Sequence, residues 1–578
     1  MFFKRIFYKC RAHAVVGILT TLIAACGGGG GGDSSATSNA SATTTISTGS
    51  VFSLAGSIIS SDGVACAPTG ATVTISGNVF YERVPFSAVL NNGLDYNNIQ
   101  TLPIRAVDIQ ALGVADCVMA SSVTDNAGAY TLNVEQNSAV KIRVKARTAS
   151  TAGAIWDFEV RDNTRSNGLY VLDGSSVNSG ASNSIRNLTA ESGWTGASYG
   201  GVRAAAPFAI LDSVYDSLQT VVAADAAVNM DDADIFWSIN NSTASGTLSL
   251  GEIGGSFYSN DQLYILGSAN SDTDEYDAHV VIHEWGHYFE DNLSRSDSVG
   301  GAHTLGDRLD FRVALSEGFG NAFSGIVTGD PIYRDSFGAS QSNDFQINVE
   351  TNASGADIGW FSEESVQTIL YDIFDNVADA NDGVNLGFTV IYDAMTSATY
   401  RLQSTFTSIF SLITQIKNDA SVGAAVDAAI DTLVVSQGID AIADFSGTGE
   451  TNNGGDANNL PIYKAITDNG VPVQVCSDNT NGEQNKLGNR QFLALSVLSS
   501  GAHNIVITRV SGLVTSDPDV GVYLNGTLTA VGQSTVNGTE TLATNLNVDD
   551  YLLEVLEFSN VDNSAGTGGA VCFNVTVS

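Results

Sequence analysis

Two stretches of this chain, 51–175 and that beyond 471, alternate apolar and polar residues, while the stretch between them repeats apolar residues at helical spacing. Leu132-Asn133-Val134 and Val140-Lys141-Ile142-Arg143-Val144 alternate, with a turn signal at Asp125-Asn126-Ala127-Gly128 between flanking strands. Period two marks strands with one buried face, and residues 51–175 are predicted to form a β-sandwich. From about residue 200 the period lengthens. Pro207 suits the first turn of a helix, and Leu211, Val214, Tyr215, Leu218, Val221 and Val222 follow it at helical spacing. A short apolar run, Leu263-Tyr264-Ile265-Leu266, reads as a strand, and further helices are predicted at 363–376 and 404–417. A strand or two followed by many helices describes an α+β domain, placed at 176–470. Gly447–Asn459, rich in Gly, Asn and Thr, is a linker or a loop. Alternation returns beyond 471 and ends on Val571, Phe573, Val575 and Val577. The expected fold is multidomain, an α+β domain flanked by two all-β sandwiches, consistent with 578 residues being too many for one core.

The N-terminal residues follow neither pattern. Lys4, Arg5, Lys9 and Arg11 precede an apolar stretch, Ala12–Ile23, too short to span a membrane comfortably. Its end, Ile23-Ala24-Ala25-Cys26, resembles the bacterial lipobox. That resemblance implies a signal peptide at 1–25, lipidation of Cys26 and anchoring to the cell envelope. Gly27, where inner-membrane retention signals carry aspartate, favours the outer membrane. Residues 26–50, glycine-rich and then rich in Ser, Thr and Ala, cannot bury a core and read as a tether. An exported chain meets an oxidising compartment, so Cys66 with Cys117 and Cys476 with Cys572, each pair within one β-domain, are expected to form disulfides. None of them has the spacing of a cysteine metal site. A net charge of −38 repels phosphate backbones and excludes nucleic acid as a partner. The expected partners are a protein or peptide substrate and, through the lipid, a membrane; the chain is expected to be a monomer.

The flanking segments carry family likenesses. Thr124-Asp125-Asn126-Ala127-Gly128-Ala129-Tyr130-Thr131-Leu132 is similar to the signature of carboxypeptidase regulatory-like domains, which implies a spacer without chemistry. Asn485-Lys486-Leu487-Gly488, Asp517-Pro518-Asp519 and Asp549–Val555 resemble pre-peptidase C-terminal domains, which implies a small sandwich appended to a secreted protease.

The chemistry lies in His283-Glu284-Trp285-Gly286-His287. Residues four apart on a helix project from one face, so both imidazoles can bind one zinc ion, and Glu284 is placed to act as general base without binding it. Asp272, with Glu275 three residues later, is a candidate N-cap for that helix. The metzincin pattern requires Gly and His where this chain has Glu290 and Leu293, and is excluded. Leu315-Ser316-Glu317-Gly318-Phe319-Gly320-Asn321 resembles the Glu-Gly/Ala-x-x-Asp segment of thermolysin-like and fungalysin-like peptidases. The resemblance implies a zincin-like domain of the gluzincin type, with Glu317 as third zinc ligand and the residue four on bonded to a ligand histidine. Here that residue is Asn321, which can accept from an imidazole but lacks the usual charge. His303 is the rival ligand. Asp277, His279 and Glu290 read as solvated or supporting groups. Thermolysin-like enzymes stabilise the oxyanion with a tyrosine and a later histidine, but the only histidine after Glu317 is His503. Tyr371 is the preferred donor, with Tyr333, Tyr392 and Arg312 as alternatives.

The segment 200–470 also resembles a group of bacterial lipoprotein peptidases. The expected function is zinc-dependent peptide hydrolysis at the cell envelope. The competing reading is a surface binding or adhesion lipoprotein on a degenerate peptidase scaffold, for which Asn321 is the single mark.

Overall fold

A computed structural model describes residues 57–66, 69–89, 91–352, 357–375, 383–562 and 567–578. The signal, Cys26 and the tether lie outside the described residues. The chain divides into two compact units. One comprises the described residues up to Trp285 together with Ile332–Ile347, and the other Gly286–Pro331 with Asn348–Ser578.

The first unit is built on strands. Thr72–Arg83 alternates buried and partly exposed residues along its length, as period two requires. It collects Gln100–Pro103, Ala129–Glu135, Ser184–Ile185 and Leu188–Ala190 into a five-stranded sheet. The larger sheet of eleven strands contains Asp108–Leu112, Ala139–Lys145 and Ala154–Asp162. It does not end at 175. Ala154–Asp162 pairs in parallel with Ala233–Trp237, which pairs in turn with Gln262–Ile265. The sheet thus carries straight through the expected boundary at 175/176, because a non-local parallel pairing joins the two stretches. Helix α1 (Ala206–Ala224) begins with Pro207 in its first turn, as expected. Asp212 and Asp216 on α1 hold Arg105, and Asp212 also accepts from the Tyr81 hydroxyl at 2.6 Å.

Helix α2 (Ala278–Asn292) carries the His-Glu motif and runs unbroken past the boundary between Trp285 and Gly286. The expected cap is corrected. Asp272 lies in a strand, Asp272–Thr273, paired with Ile332–Phe337, and the residue ahead of the helix is Asp277.

The second unit contains α3 (Phe311–Thr328) and α4 (Glu363–Phe374), which pack against each other. Asp310 caps α3 by accepting from the Arg312 amide, and Ser362 caps α4 by accepting from Ser365. The helix expected at 404–417 is Ile409–Lys417, started by a Ser408–Ser411 capping box. The C-terminal strands form one sheet of five and one of four. Leu493, Leu495, Val520, Val522 and Leu553 of the first share a buried core with Val475, Ile505, Ile507, Phe573 and Val575 of the second, so this segment is a sandwich. It begins at Tyr463–Thr467, a few residues before the expected 471. Both expected disulfides are present, Cys66–Cys117 and Cys476–Cys572. Among the described residues no helix is long and apolar enough to cross a membrane.

Candidate metal centre

The period of α2 sets His283 and His287 on one face, and α3 supplies Glu317. One ligand atom from each of the three lies within 4.8 Å of the others. The His287 Nε2 to Glu317 Oε2 distance is 3.5 Å. Two ligands at zinc bonding distances on a tetrahedron are separated by about 3.4 Å, so this spacing suits a shared zinc ion. His283 and Glu317 are buried and His287 is partly so, while Glu284 is 1% exposed.

The close approach of the helices has a local cause. Gly286 stands between the two histidines, and a Cβ there would meet the Gly320 Cα at 3.3 Å. Gly318, next to Glu317, has no room for a side chain either, since its Cβ would fall 2.6 Å from Val366 on α4. Phe289 on the following turn of α2 packs on Phe319 and Phe323 of α3, which fixes the pair.

His287 is oriented by a carboxylate. Its Nδ1 lies 3.1 Å from Ser316 Oγ and 3.4 Å from Glu290 Oε2, and Ser316 donates to the same Glu290 oxygen at 2.5 Å. The serine proton is therefore spent on Glu290. Nδ1–H donates into this pair and leaves the Nε2 lone pair directed toward Glu317, the tautomer a metal ligand needs. Glu290, 2% exposed, is a supporting group rather than a solvated one. Two imidazole nitrogens, a carboxylate oxygen and an oriented tautomer together fit zinc.

The other candidates divide. Asn321 is buried one turn past Glu317, and its amide donates to Gln367 Oε1 at 2.9 Å. Tyr371 is not brought to the group. Its ring packs on Gly325, two turns beyond Glu317 on α3, and burial followed by Asp375, Glu350 and Asp330 pushes its hydroxyl up to about 12. Arg312 is not brought there either, because Asp310 and Glu554 hold its guanidinium at 2.8 Å. Tyr392 packs with Phe289 and Phe388. Tyr333 does stand beside the motif, its ring 6.1 Å from that of His283 and 5.5 Å from that of His279. His303 reaches Glu317 at 3.5 Å and Glu363 at 3.2 Å, so a residue expected only as a rival ligand lies next to the ligand carboxylate. Burial opposes its protonation, but Glu317 and Glu363 outweigh burial and raise its pKa. Among the described residues it does not join both motif histidines in one ligand group. His279 is buried, and Asp277 is fully buried with its carboxylate accepting from the Ser336 amide and hydroxyl, so neither is solvated.

A family model described as the Mycolysin C-terminal domain matches residues 239–431. The matched segment contains α2, α3 and α4 with every residue of the group, and the match points to a peptidase. No curated protein matches the chain. Among solved structures, the pre-peptidase C-terminal domain of a collagenase from Bacillus anthracis is 14% identical over 20% of this chain and 94% of its own, with a TM-score of 0.16. Aeromonas hydrophila PliG, a periplasmic inhibitor of g-type lysozyme, is 11% identical over 20% of this chain and 96% of its own, with a TM-score of 0.14.

Proposed function

We propose that the chain is a zinc metallopeptidase in which His283, His287 and Glu317 hold the metal and Glu284 is the general base. The observation that carries this reading is the convergence of two imidazoles and a carboxylate within 4.8 Å, beside a buried glutamate one residue from the first histidine. A zinc ion held there supplies the Lewis acidity that polarises a peptide carbonyl and makes a water nucleophilic near neutral pH. The Glu284 carboxylate takes the proton from the attacking water and passes it to the leaving amine nitrogen. Glu290 and Ser316 keep the His287 ring in its ligand tautomer throughout. His303 replaces Tyr371 as the donor beside the group. Its Nε2 lies near Glu317 and Glu363, and a ring N–H at that position can donate to a developing oxyanion.

The enzyme is lipid-anchored through Cys26 at the bacterial cell envelope in this reading, with proteins or peptides as substrates. Zinc analysis of the purified full chain, with cleavage of denatured casein before and after chelation, tests the assignment. One zinc per chain, activity lost on chelation and restored by zinc, is the expected outcome. A chain that binds zinc but cleaves nothing would favour the binding lipoprotein, and a chain without zinc would remove the ligand assignment.

A further inference from the structure

A second group of metal-competent side chains lies ahead of the His-Glu motif. Asp272, Asp274 and Asp335 bring one carboxylate oxygen each to within 4.8 Å of one another. The strand pair explains why. Asp272 sits opposite Phe337 in an antiparallel register, and continuing that register sets Asp274 opposite Asp335. Alternate residues of a strand share a face, so all three side chains project to the same side. Their exposures are 1%, 1% and 5%.

Three buried carboxylates on one face repel one another, and an unpaired buried charge is strongly unfavourable. Among the described residues no lysine, arginine or histidine pairs with any of them, and Arg203, the cation bonded within this stretch, is taken up by Glu275 and Thr273. Ser256 donates to one oxygen of Asp274. Both oxygens of Asp272, the other of Asp274 and one of Asp335 are buried without a hydrogen-bond partner. Asp272 is thus a fully buried carboxyl group whose oxygens meet no donor from outside the cluster, held within reach of Asp274 and Asp335.

We propose that Asp272, Asp274 and Asp335 bind one calcium ion at a structural site separate from the zinc group. Calcium takes six to eight oxygen ligands at about 2.3–2.6 Å and accepts carboxylates as one- or two-oxygen donors. Ligand oxygens on opposite sides of such an ion are about 5 Å apart, so three oxygens within 4.8 Å of one another can share it. Magnesium demands near-ideal octahedral geometry and keeps several waters, and zinc favours nitrogen and sulfur donors. The bound ion ties Asp272–Asp274 to the strand Ile332–Phe337, and the same chain segment leads through Asp277 into α2. It therefore braces the N-terminal end of the helix that carries His283. Protons are the alternative remedy for the repulsion: burial pushes the Asp274 carboxyl up to about 7 and those of Asp272 and Asp335 well above the usual range. Calcium and protons then compete for one cluster.

The test uses the full chain, stripped with EDTA, dialysed and supplied with one equivalent of zinc. Calcium chloride is then titrated calorimetrically while melting temperature is followed. One calcium per chain and a rise of several degrees are expected. Asp272→Asn and Asp335→Asn should each weaken calcium binding by at least about 100-fold. Their melting order should also cross, each variant melting above the parent in EDTA and below it in calcium. The proposal is overturned if the parent chain takes up no calcium at millimolar concentration, or if both variants bind it as tightly as the parent. Magnesium producing the same stoichiometry and the same shift would overturn the choice of calcium.

Discussion

The nitrogen-bearing group around His287 and the all-carboxylate group around Asp272 are both compact and largely buried, yet their polar atoms are provided for in opposite ways. His287 has each ring nitrogen assigned, Nδ1 to Ser316 and Glu290 and Nε2 toward Glu317. Asp272 meets no donor from outside its own cluster at either oxygen. The first arrangement fixes a neutral donor in one tautomer, which serves a borderline-soft ion whose chemistry depends on geometry. The second concentrates negative charge and leaves its orientation free, which serves a hard ion that tolerates irregular ligands. The partners of a buried ligand, more than its burial, thus indicate which ion it suits.

The largest expected effect comes from removing a ligand of the nitrogen group. Glu317→Ala or His287→Ala should weaken zinc binding by more than the roughly 100-fold that an outer partner commands, and abolish casein cleavage. The calcium titration of either variant should be unchanged; a parallel loss of calcium would collapse the two groups into one. Next in size is Glu290→Ala, which removes the carboxylate behind His287. A fall in zinc affinity of about 10- to 100-fold is expected in a competition assay with a chromogenic chelator. An unaltered affinity would mean that Ser316 alone sets the tautomer.

A smaller effect is expected from Gly286→Ala. The added methyl meets the Gly320 Cα at 3.3 Å, and overpacking of this sort costs about 1–3 kcal/mol, measurable by denaturant unfolding. The smallest effect is a pH trend in the metal-free chain. Asp274 has a folded pKa raised to about 7, and Asp272 and Asp335 move in the same direction. Unfolded aspartates titrate near about 4, so the folded chain holds more protons between those values and loses stability as pH rises through them. In EDTA the melting temperature should fall from about pH 5 to about pH 8, and calcium should flatten that fall. A melting temperature that rises over this range in EDTA would contradict the assignment of the cluster as unpaired carboxylates.

The nitrogen group was legible in the sequence because its signals are local. His283, Glu284 and His287 need only helical periodicity to meet, and Glu317 sits in a short segment of family character. Glu290 was visible three residues past His287, but spacing alone did not reveal that Ser316 joins it behind the ring. The carboxylate group was not legible, because Asp335 joins Asp272 and Asp274 only through strand pairing between distant segments. The same limit applies to the boundary drawn at 175. No local pattern announces that Ala154–Asp162 will pair with Ala233–Trp237 across α1. Tyr371 failed as a donor for a related reason: helical phase places it on a buried face of α4, but not opposite which turn of α3. The C-terminal strands were legible from their alternation, although the first of them, Tyr463–Thr467, lies ahead of the expected 471.

In the proposed enzyme Glu284 moves the proton at a zinc site formed by His283, His287 and Glu317. Comparing the full chain with Glu284→Gln, for zinc content and casein cleavage side by side, tests it most directly. One zinc in both proteins and a loss of cleavage in the variant of at least about 10³-fold are expected. Equal cleavage by the two proteins, with zinc retained in both, would contradict it.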